Sequence, residues 1–585
     1  MKPVILKTLL LILSVYCCNT AALAADYTAV ASGNYSNTAT WSGGALPPAP
    51  LGTNKIIIPS GITVTLDVDL YLNDAGSNLQ VNYGGTLSSV SKNFVSISAG
   101  ILGGNGRINI DSIYTASNTT FSFTGWMTVN RWAVGDIAIN GGNLEADKEL
   151  RFTAGITKLF YGTITTGINA TVVYSGGTLG LDLGTVDVSN GYNLRYETKS
   201  YNINQTVLDT NYLKDIEIAV GSGNTVSPLE NMTIPGRLTL TSGTFSAGGK
   251  TITFENSSSI ATGGTGVLIA PLSSHIIVNT FATYFGTIRI GAGGISNLTI
   301  NTNTTFRLAT DMAISNSLKL VDGKIFADGN KISLSGNATL TGGSATSYIV
   351  TNTGGTLVQT IPASGTKFFP VGTENEYSPI TIWNNLSANS SDISVSTAAS
   401  VLQYGTSGND LSATQSLVKT TWFVDAPTQV FDVNIEPQWP VTMEVNGFNA
   451  GACYISHFAT GSWDTHPYAA ATTTGNMKAV KRNNINSAGA YTVVDTGAYL
   501  SINDDRYNSM ITGLYPNPAT NIINLNYTGN SKVNVAVYNA VGIMVKTFSI
   551  TKGVNPVNIS GLNNGIYYIR NTDGDEQIST KFLKL

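Results

Sequence analysis

The sequence predicts an all-β protein: a right-handed parallel β-helix, or β-solenoid, over residues 25–365, a β-sandwich over 366–508 and a small Ig-like β-sandwich over 509–585. Three observations carry this reading. Apolar residues recur at every second position in short runs, the period of a strand with one buried face. Gly, Asn, Asp and Ser separate the runs, with 61 Gly among 585 residues, and these residue types accept the backbone angles of tight turns. A block of sequence also resembles itself at a fixed offset, as stacked coils require.

The N-terminus reads as a secretory signal over residues 1–24. Lys2 and Lys7 precede the apolar run Thr8-Leu9-Leu10-Leu11-Ile12-Leu13-Ser14-Val15, and Ala22-Leu23-Ala24 supplies the small residues of a cleavage site. The run is shorter than the roughly 20 residues that span a bilayer. Tyr16 before Cys17 is not the small residue that lipoprotein processing needs. Without this segment only Cys453 of the three cysteines remains, so no internal disulfide is expected, and no later apolar run is long enough for a membrane helix.

From residue 26 to 365 the text is strand then turn, many times over. Examples are Ile56-Ile57-Ile58, Thr63-Val64-Thr65-Leu66, Thr251-Ile252-Thr253-Phe254 and Lys331-Ile332-Ser333-Leu334. The most helix-like stretch, residues 144–152, is too short to organise a domain. Residues 232–254 align without gaps on 312–334: Leu238 and Leu240 meet Leu318 and Leu320, Phe245 meets Ile325, and Gly243 and Gly249 meet Gly323 and Gly329. Matches at both apolar and turn positions are what stacking coils produce.

Between 366 and 508 the texture changes. Trp383, Trp422, Trp439 and Trp463 fall here, prolines interrupt the strands, and runs such as Phe431-Asp432-Val433-Asn434-Ile435 and Ala490-Tyr491-Thr492-Val493-Val494 suit a sandwich. The last segment holds about seven short strands around the turns Asn539-Ala540-Val541-Gly542 and Asn563-Asn564-Gly565.

Three groups of residues carry resemblances. Tyr515-Pro516-Asn517-Pro518, the turn with Gly542, Leu562-Asn563-Asn564-Gly565-Ile566-Tyr567 and terminal Lys581-Phe582-Leu583-Lys584 resemble the type A, Por-type, C-terminal sorting domain of type IX secretion substrates. That resemblance implies export through the periplasm to the surface or exterior of a Gram-negative bacterium. An outer-membrane translocon would be the partner of residues 509–585. Ala31-Ser32-Gly33-Asn34-Tyr35-Ser36 with Thr40-Trp41-Ser42-Gly43-Gly44 is similar to the opening of secreted bacterial β-helix proteins often described as adhesins. Phe369-Pro370-Val371-Gly372 with Tyr377-Ser378-Pro379 resembles the start of a β-sandwich that follows such helices.

The charge pattern excludes several functions. Charged residues make up 11% of the chain, against about 25% in an ordinary domain. The 31 Lys and Arg against 35 Asp and Glu leave a net charge of -4, so there is no basic field for nucleic acid. His275, His457 and His466 are the only imidazoles, which removes the HExxH and paired Cys/His zinc patterns.

A polygalacturonase-like site would show Asn-Thr-Asp, Asp-Asp and Gly-His-Gly elements on the solenoid. Asn571-Thr572-Asp573 and Asp504-Asp505 lie outside it, and no Gly-His-Gly exists. His275, inside Ser274-His275-Ile276-Ile277-Val278, reads as a strand-face residue without a charge partner. Cys453, His457, Trp463, Asp464 and His466 form the densest constellation, but their spacing fits no common zinc pattern and Cys453 reads as a buried small side chain. Asp573-Gly574-Asp575-Glu576 reads as a solvated turn with at most weak calcium affinity. Thr63/Thr65, Thr239/Thr241 and Thr251/Thr253 read as ordinary strand residues, not an ice- or crystal-binding lattice. Trp126 and Trp132 read as core aromatics.

The expectation is therefore a secreted or cell-surface, adhesin-like β-helix protein that binds glycans or surfaces without catalysis, with no catalytic, cofactor or metal residues assigned. The alternative is a secreted polysaccharide lyase or glycoside hydrolase on the same scaffold. It requires two carboxylates and a Lys or Arg within hydrogen-bond reach on one solenoid face.

Overall fold

The computed structural model describes residues 24–90, 92–261, 263–282, 284–426, 431–497, 511–571 and 579–585. The signal segment up to residue 23, the Asp504-Asp505 pair and the acidic turn at 573–576 lie outside the described residues. The chain forms two compact units, one of Met1–Ala459 with Asp464–Thr496 and the other of Thr460–Trp463 with Gly497–Leu585. It is an all-β protein with a solenoid of about 14 turns.

The solenoid has three sides, each a column of parallel strands. On side A, Met232 pairs with Ile252, then Ile276, Leu298 and Leu318 follow in register. Side B runs from Leu70 through Val95, Ile113, Trp132, Leu150, Val172, Leu194 and Ile216 to Leu238. Side C carries Val226, Phe245, Leu268 and Ile290. All of these side chains are buried in one continuous core. Strand alternation turns every second residue inward. The next coil then covers it, at roughly 1.5–3 kcal/mol per buried aliphatic or aromatic side chain. Coils vary in length, with Met127 on Leu144 at one extreme and Gly33 on Val64 at the other.

The 80-residue similarity has a specific geometric meaning. Met232 pairs with Ile252 in the same register as Met312 with Ile332. The turn glycines also match: φ is 85° at Gly243 and 88° at Gly323, 83° at Gly249 and 84° at Gly329. Yet Met232 lies on side A, whereas Met312 lies on side C, in the strand that continues from Ile295 through Ile314. The offset spans three coils and two sides, so one local coil recurs rotated by one side. Positive φ is what confines these turns to Gly.

The helix-like residues 144–152 belong to the strand Ala138–Phe152, with Leu144, Ala146, Leu150 and Phe152 buried. The opening motif is the N-terminal cap. Trp41 and Tyr35 pack edge to face at 5.4 Å, Trp41 Nε1 donates to the Tyr35 carbonyl, and both rings are buried beside the first coil.

At the other end the solenoid passes directly into antiparallel sheet. Thr356–Ile361 pairs in parallel with Lys331–Leu334 on one edge and antiparallel with Ser391–Ala398 on the other. Thr421–Asp425, Gly489–Asp495 and Cys453–Ala459 extend that sheet. A second sheet is formed by Thr366–Phe369, Ile380–Asn384, Val433–Pro440 and shorter strands. Trp422 and Trp439 are buried and donate to the Ser378 carbonyl and to Glu444. The motif at residues 369–372 is shared between the two regions, because Val371–Gly372 stacks in parallel on Ile349–Val350 and so continues side B. On side C the terminal strand, Thr356–Ile361, is paired by Ser391–Ala398, which removes a template for aggregation.

The second unit has a three-stranded sheet, Ile511–Tyr515, Ile522–Tyr527 and Gly553–Asn558, and a four-stranded sheet, Met544–Ile550, Val533–Asn539, Gly565–Asn571 and Ser579–Lys584. Ile523, Leu525, Tyr527, Val535, Val537, Ile569 and Phe582 form its core.

Candidate functional site

The C-terminal motifs, scattered over some seventy residues, converge on the last strand. Asn517 works as a side-chain strand: its Oδ1 accepts from Leu583 N–H at 2.8 Å and its Nδ2 donates to the Lys581 carbonyl at 3.3 Å. Pro516 and Pro518, both preceded by cis peptides, flank it, and Tyr515 is exposed. Phe582 is buried and stacks on Tyr567 at 5.5 Å, and the Tyr567 hydroxyl donates to the Asn563 carbonyl. Leu562 packs against the same core, and Gly565 opens the strand opposite Lys584. Lys581 is exposed, whereas Lys584 is buried with its Nζ on the Leu585 carbonyl. Gly542, at φ 82°, sits in a separate turn held by Asn539, whose strand position faces Tyr567.

Residues 513–584 match the family model of the secretion system C-terminal sorting domain. No curated protein and no solved structure matches the chain. The sorting domain marks the chain as a type IX secretion substrate, delivered to the cell surface or extracellular space. Among the described residues no helix is long and apolar enough to cross a membrane. The body that the sorting domain exports is the β-solenoid.

The residues around Cys453 are held by packing, hydrogen bonds and an ion pair. Cys453 is buried, its Sγ against the Ala450 and Ala469 carbonyls, and burial pushes its thiol up to about 11. Asp464 is gripped by Arg482 at 2.9 and 2.6 Å and accepts from His457 N–H at 2.7 Å. Burial would raise the Asp464 carboxyl, but these contacts hold it below the usual range. His457 stacks on Tyr491 at 4.4 Å, and Trp463 falls in the second compact unit. Among the described residues no three His, Cys, Asp or Glu side chains gather as a metal site.

On the solenoid His275 bonds Thr299 through Nε2 at 2.9 Å, and burial and then the Lys319 charge lower its affinity for a proton. The Thr pairs do not extend into a lattice: Thr251 and Thr253 are followed on the next coil by His275 and Ile277. Trp132 is in the core as expected, but Trp126 is 60% exposed, because it opens its strand on an outward position.

Sequence reasoning missed two features of side B. One is an ionic ladder. Arg151 Nε meets Glu149 at 2.8 Å and Arg151 Nη1 meets Glu197 at 2.6 Å. Arg195 Nε lies 2.8 Å from Glu197, off the hydrogen-bond axis, and its Nη1 lies 3.5 Å from Glu217. This is the cluster the enzymatic alternative requires. Desolvation raises the Glu197 carboxyl, but the hydrogen bonds from Arg151 and Ser175 and the two guanidinium charges outweigh it, so the net shift is downward. A general acid needs the opposite shift. The other feature is an aromatic ladder on the outer face: Tyr71, Phe94 and Tyr114 stand edge to face at 5.4 Å intervals, with Tyr71 40% and Tyr114 43% exposed. Its sequence signal is faint, one aromatic per coil at outward positions of successive strands.

Proposed function

We propose that the exported protein is adhesin-like and holds glycans against its solenoid without cleaving them. The aromatic ladder of Tyr71, Phe94 and Tyr114 carries this reading. Exposed rings on consecutive coils offer apolar faces to sugar rings, while the Asp69–Asn93 and Asp111–Asn130 hydrogen-bonded pairs beside them offer polar groups to hydroxyls. The rigid stacked coils fix the spacing of these groups before any ligand arrives, which lowers the ordering cost of binding.

A second reading, a polysaccharide lyase or glycoside hydrolase, is favoured by the Glu149–Arg151–Glu197 cluster alone. One experiment separates the two. The purified protein is incubated with pectin, alginate, chondroitin and cellulose, and both retention on the polysaccharide and release of soluble or unsaturated product are measured. Retention without product supports adhesion. Product that disappears with Glu197→Gln supports catalysis.

A further inference from the structure

Past Glu197 the chain turns a corner of the solenoid and lines a half-open cavity of about 370 Å³. Its wall is made by Tyr174, Tyr196 and Tyr201, with Lys199, Asn202 and Asn204 also lining it. The three rings form one stack that continues from Phe152: Tyr174 lies 5.3 Å from Phe152, Tyr196 lies 5.2 Å from Tyr174 at 10°, and Tyr201 lies 5.3 Å from Tyr196. Tyr174 and Tyr196 are 8% and 3% exposed.

Packing alone does not explain this corner. Stacked rungs of an aromatic column need only Phe, as Phe152 one coil earlier shows. Tyrosine adds a hydroxyl, and a buried hydroxyl normally finds a partner. The Tyr201 hydroxyl accepts from Gly176 N–H. Those of Tyr174 and Tyr196 make no hydrogen bond to the described residues, and neither oxygen is among the atoms sealed from solvent without a partner. Burial keeps both phenols protonated, so each offers a neutral donor.

Thr198, at the turn into the cavity, has φ 73°, a region that a β-branched residue enters only under constraint. The turn sets Lys199 with its ammonium 5.5 Å from the Tyr201 ring. Lys199 has no carboxylate within ion-pair reach among the described residues, and the neighbouring Glu197 is already held by Arg151 and Arg195. Lys199 is the only charged side chain lining the cavity.

We propose that this cavity binds the terminal residue of an acidic glycan, a pyranose bearing a carboxylate. The proposal deepens the glycan-binding reading and rests on it. Leu229, 46% exposed, and the half-buried Val207 supply the apolar contact for the sugar ring, while the stacked phenols reach the cavity with only a small part of their surface. Their free hydroxyls and the Asn202 and Asn204 amides meet the ring hydroxyls, and Lys199 meets the carboxylate. The volume, near the small end of ligand sites at about 300–1,000 Å³, suits one or two sugar residues and excludes a bulky ligand.

The test is an array of uronate- and sialate-terminated oligosaccharides beside their neutral parents, probed with the full-length protein and three variants. Tyr174→Phe/Tyr196→Phe removes two hydroxyls and leaves the ring stack in place. Lys199→Ala removes the exposed charge, and Lys199→Arg retains it. The expected result is that carboxylated members bind at least tenfold tighter than their parents. Lys199→Ala erases that preference and Lys199→Arg keeps most of it, while the double Phe variant weakens binding tenfold with an unchanged circular dichroism spectrum. A glycan that binds equally to all three variants and the parent places its site elsewhere and overturns this proposal, leaving the adhesin reading standing. Equal binding of acidic and neutral members overturns the choice of an acidic ligand. No binding across the array overturns both the proposal and the reading beneath it.

Discussion

Arg151 and Glu197 stand 46 residues apart in the chain, and their side chains meet at 2.6 Å across an intervening coil. Between them on side B lies Val173, which pairs with Arg151 below and Arg195 above. Val173 is fully buried although its strand position faces outward, and it stands outside the interior core. The ionic ladder is therefore a roof over a small apolar spot, and its arginine stems supply cover as well as charge.

Replacing Glu197 by Gln should destabilise the solenoid by about 1 kcal/mol, at the upper end for partly exposed ion pairs. The loss should shrink in 1 M salt, where the Debye length is about 3 Å. Urea denaturation followed by tryptophan fluorescence reads both effects. An unchanged midpoint at low salt would show that the ladder contributes nothing.

The interior columns should tolerate far less. Leu298 lies in the middle of side A between Ile276 and Leu318, fully buried. Leu298→Ala should cost about 2–5 kcal/mol, because the coils above and below are fixed by their own ladders and cannot collapse into the space. The sandwich that continues side C should matter in another way. A chain ending at residue 350 bares the edges of Lys331–Leu334 and Ile349–Val350, which Thr356–Ile361 and Val371–Gly372 cover in the intact protein, and it should aggregate. Light scattering that stays monomeric for that truncation while the Leu298→Ala protein unfolds would separate packing from edge protection and refute the second part.

In and out were legible in the sequence, and neighbours were not. Alternation marks Ile252, Ile276 and Leu298 as inward residues because strand period alone decides it. That Ile252 sits on Ile276 depends on how many residues each corner consumes, and the corners vary. The repeat at offset 80 reflects coil similarity between Met232 and Met312 but carries no sign of the rotation by one side, since a three-sided coil can start on any side. The tail was legible because Asn517 and Phe582 act through residue identity within short motifs, one as a side-chain hydrogen-bonding group and the other as a core ring. The Arg151–Glu197 and Asp464–Arg482 contacts were not, as each joins residues whose separation follows from coil length or sheet order. The tyrosine cavity was hidden for the same reason: Tyr174, Tyr196 and Tyr201 look like strand aromatics until the corner brings them together.

The sorting domain supports a prediction that separates folding from recognition. Tyr567→Ala removes a buried ring from the core that also holds Phe582, so it should unfold the domain and stop export. Lys581→Ala alters an exposed side chain on the same strand and should leave the fold intact. If the strand is read by the translocon through its surface, Lys581→Ala should also lower the secreted fraction and raise the periplasmic one, measured by cell fractionation and immunoblotting. Normal secretion of both variants would contradict a role for this strand in export.

Acid should weaken the first unit in two separate steps. Burial lowers the proton affinity of all three histidines; the Lys319 charge adds to this at His275, and the Arg482 charge adds at His457 and His466, where Asp464 opposes it. Their folded forms are neutral where the unfolded chain, titrating near 6.5, already binds protons. Stability contributed this way is complete above about pH 7 and falls as the pH drops below about 6.5. Asp464, Glu197 and Asp111 shift the other way for carboxylates, downward, so their contribution persists through that window and disappears only below about pH 4. Urea midpoints at pH 7.5, 5.5 and 3.5 should therefore decline twice. A variant with Gln at positions 275, 457 and 466 should lose the first decline and keep the second. A parent protein with equal midpoints at pH 7.5 and 5.5 would show that the histidines are as solvated in the fold as outside it.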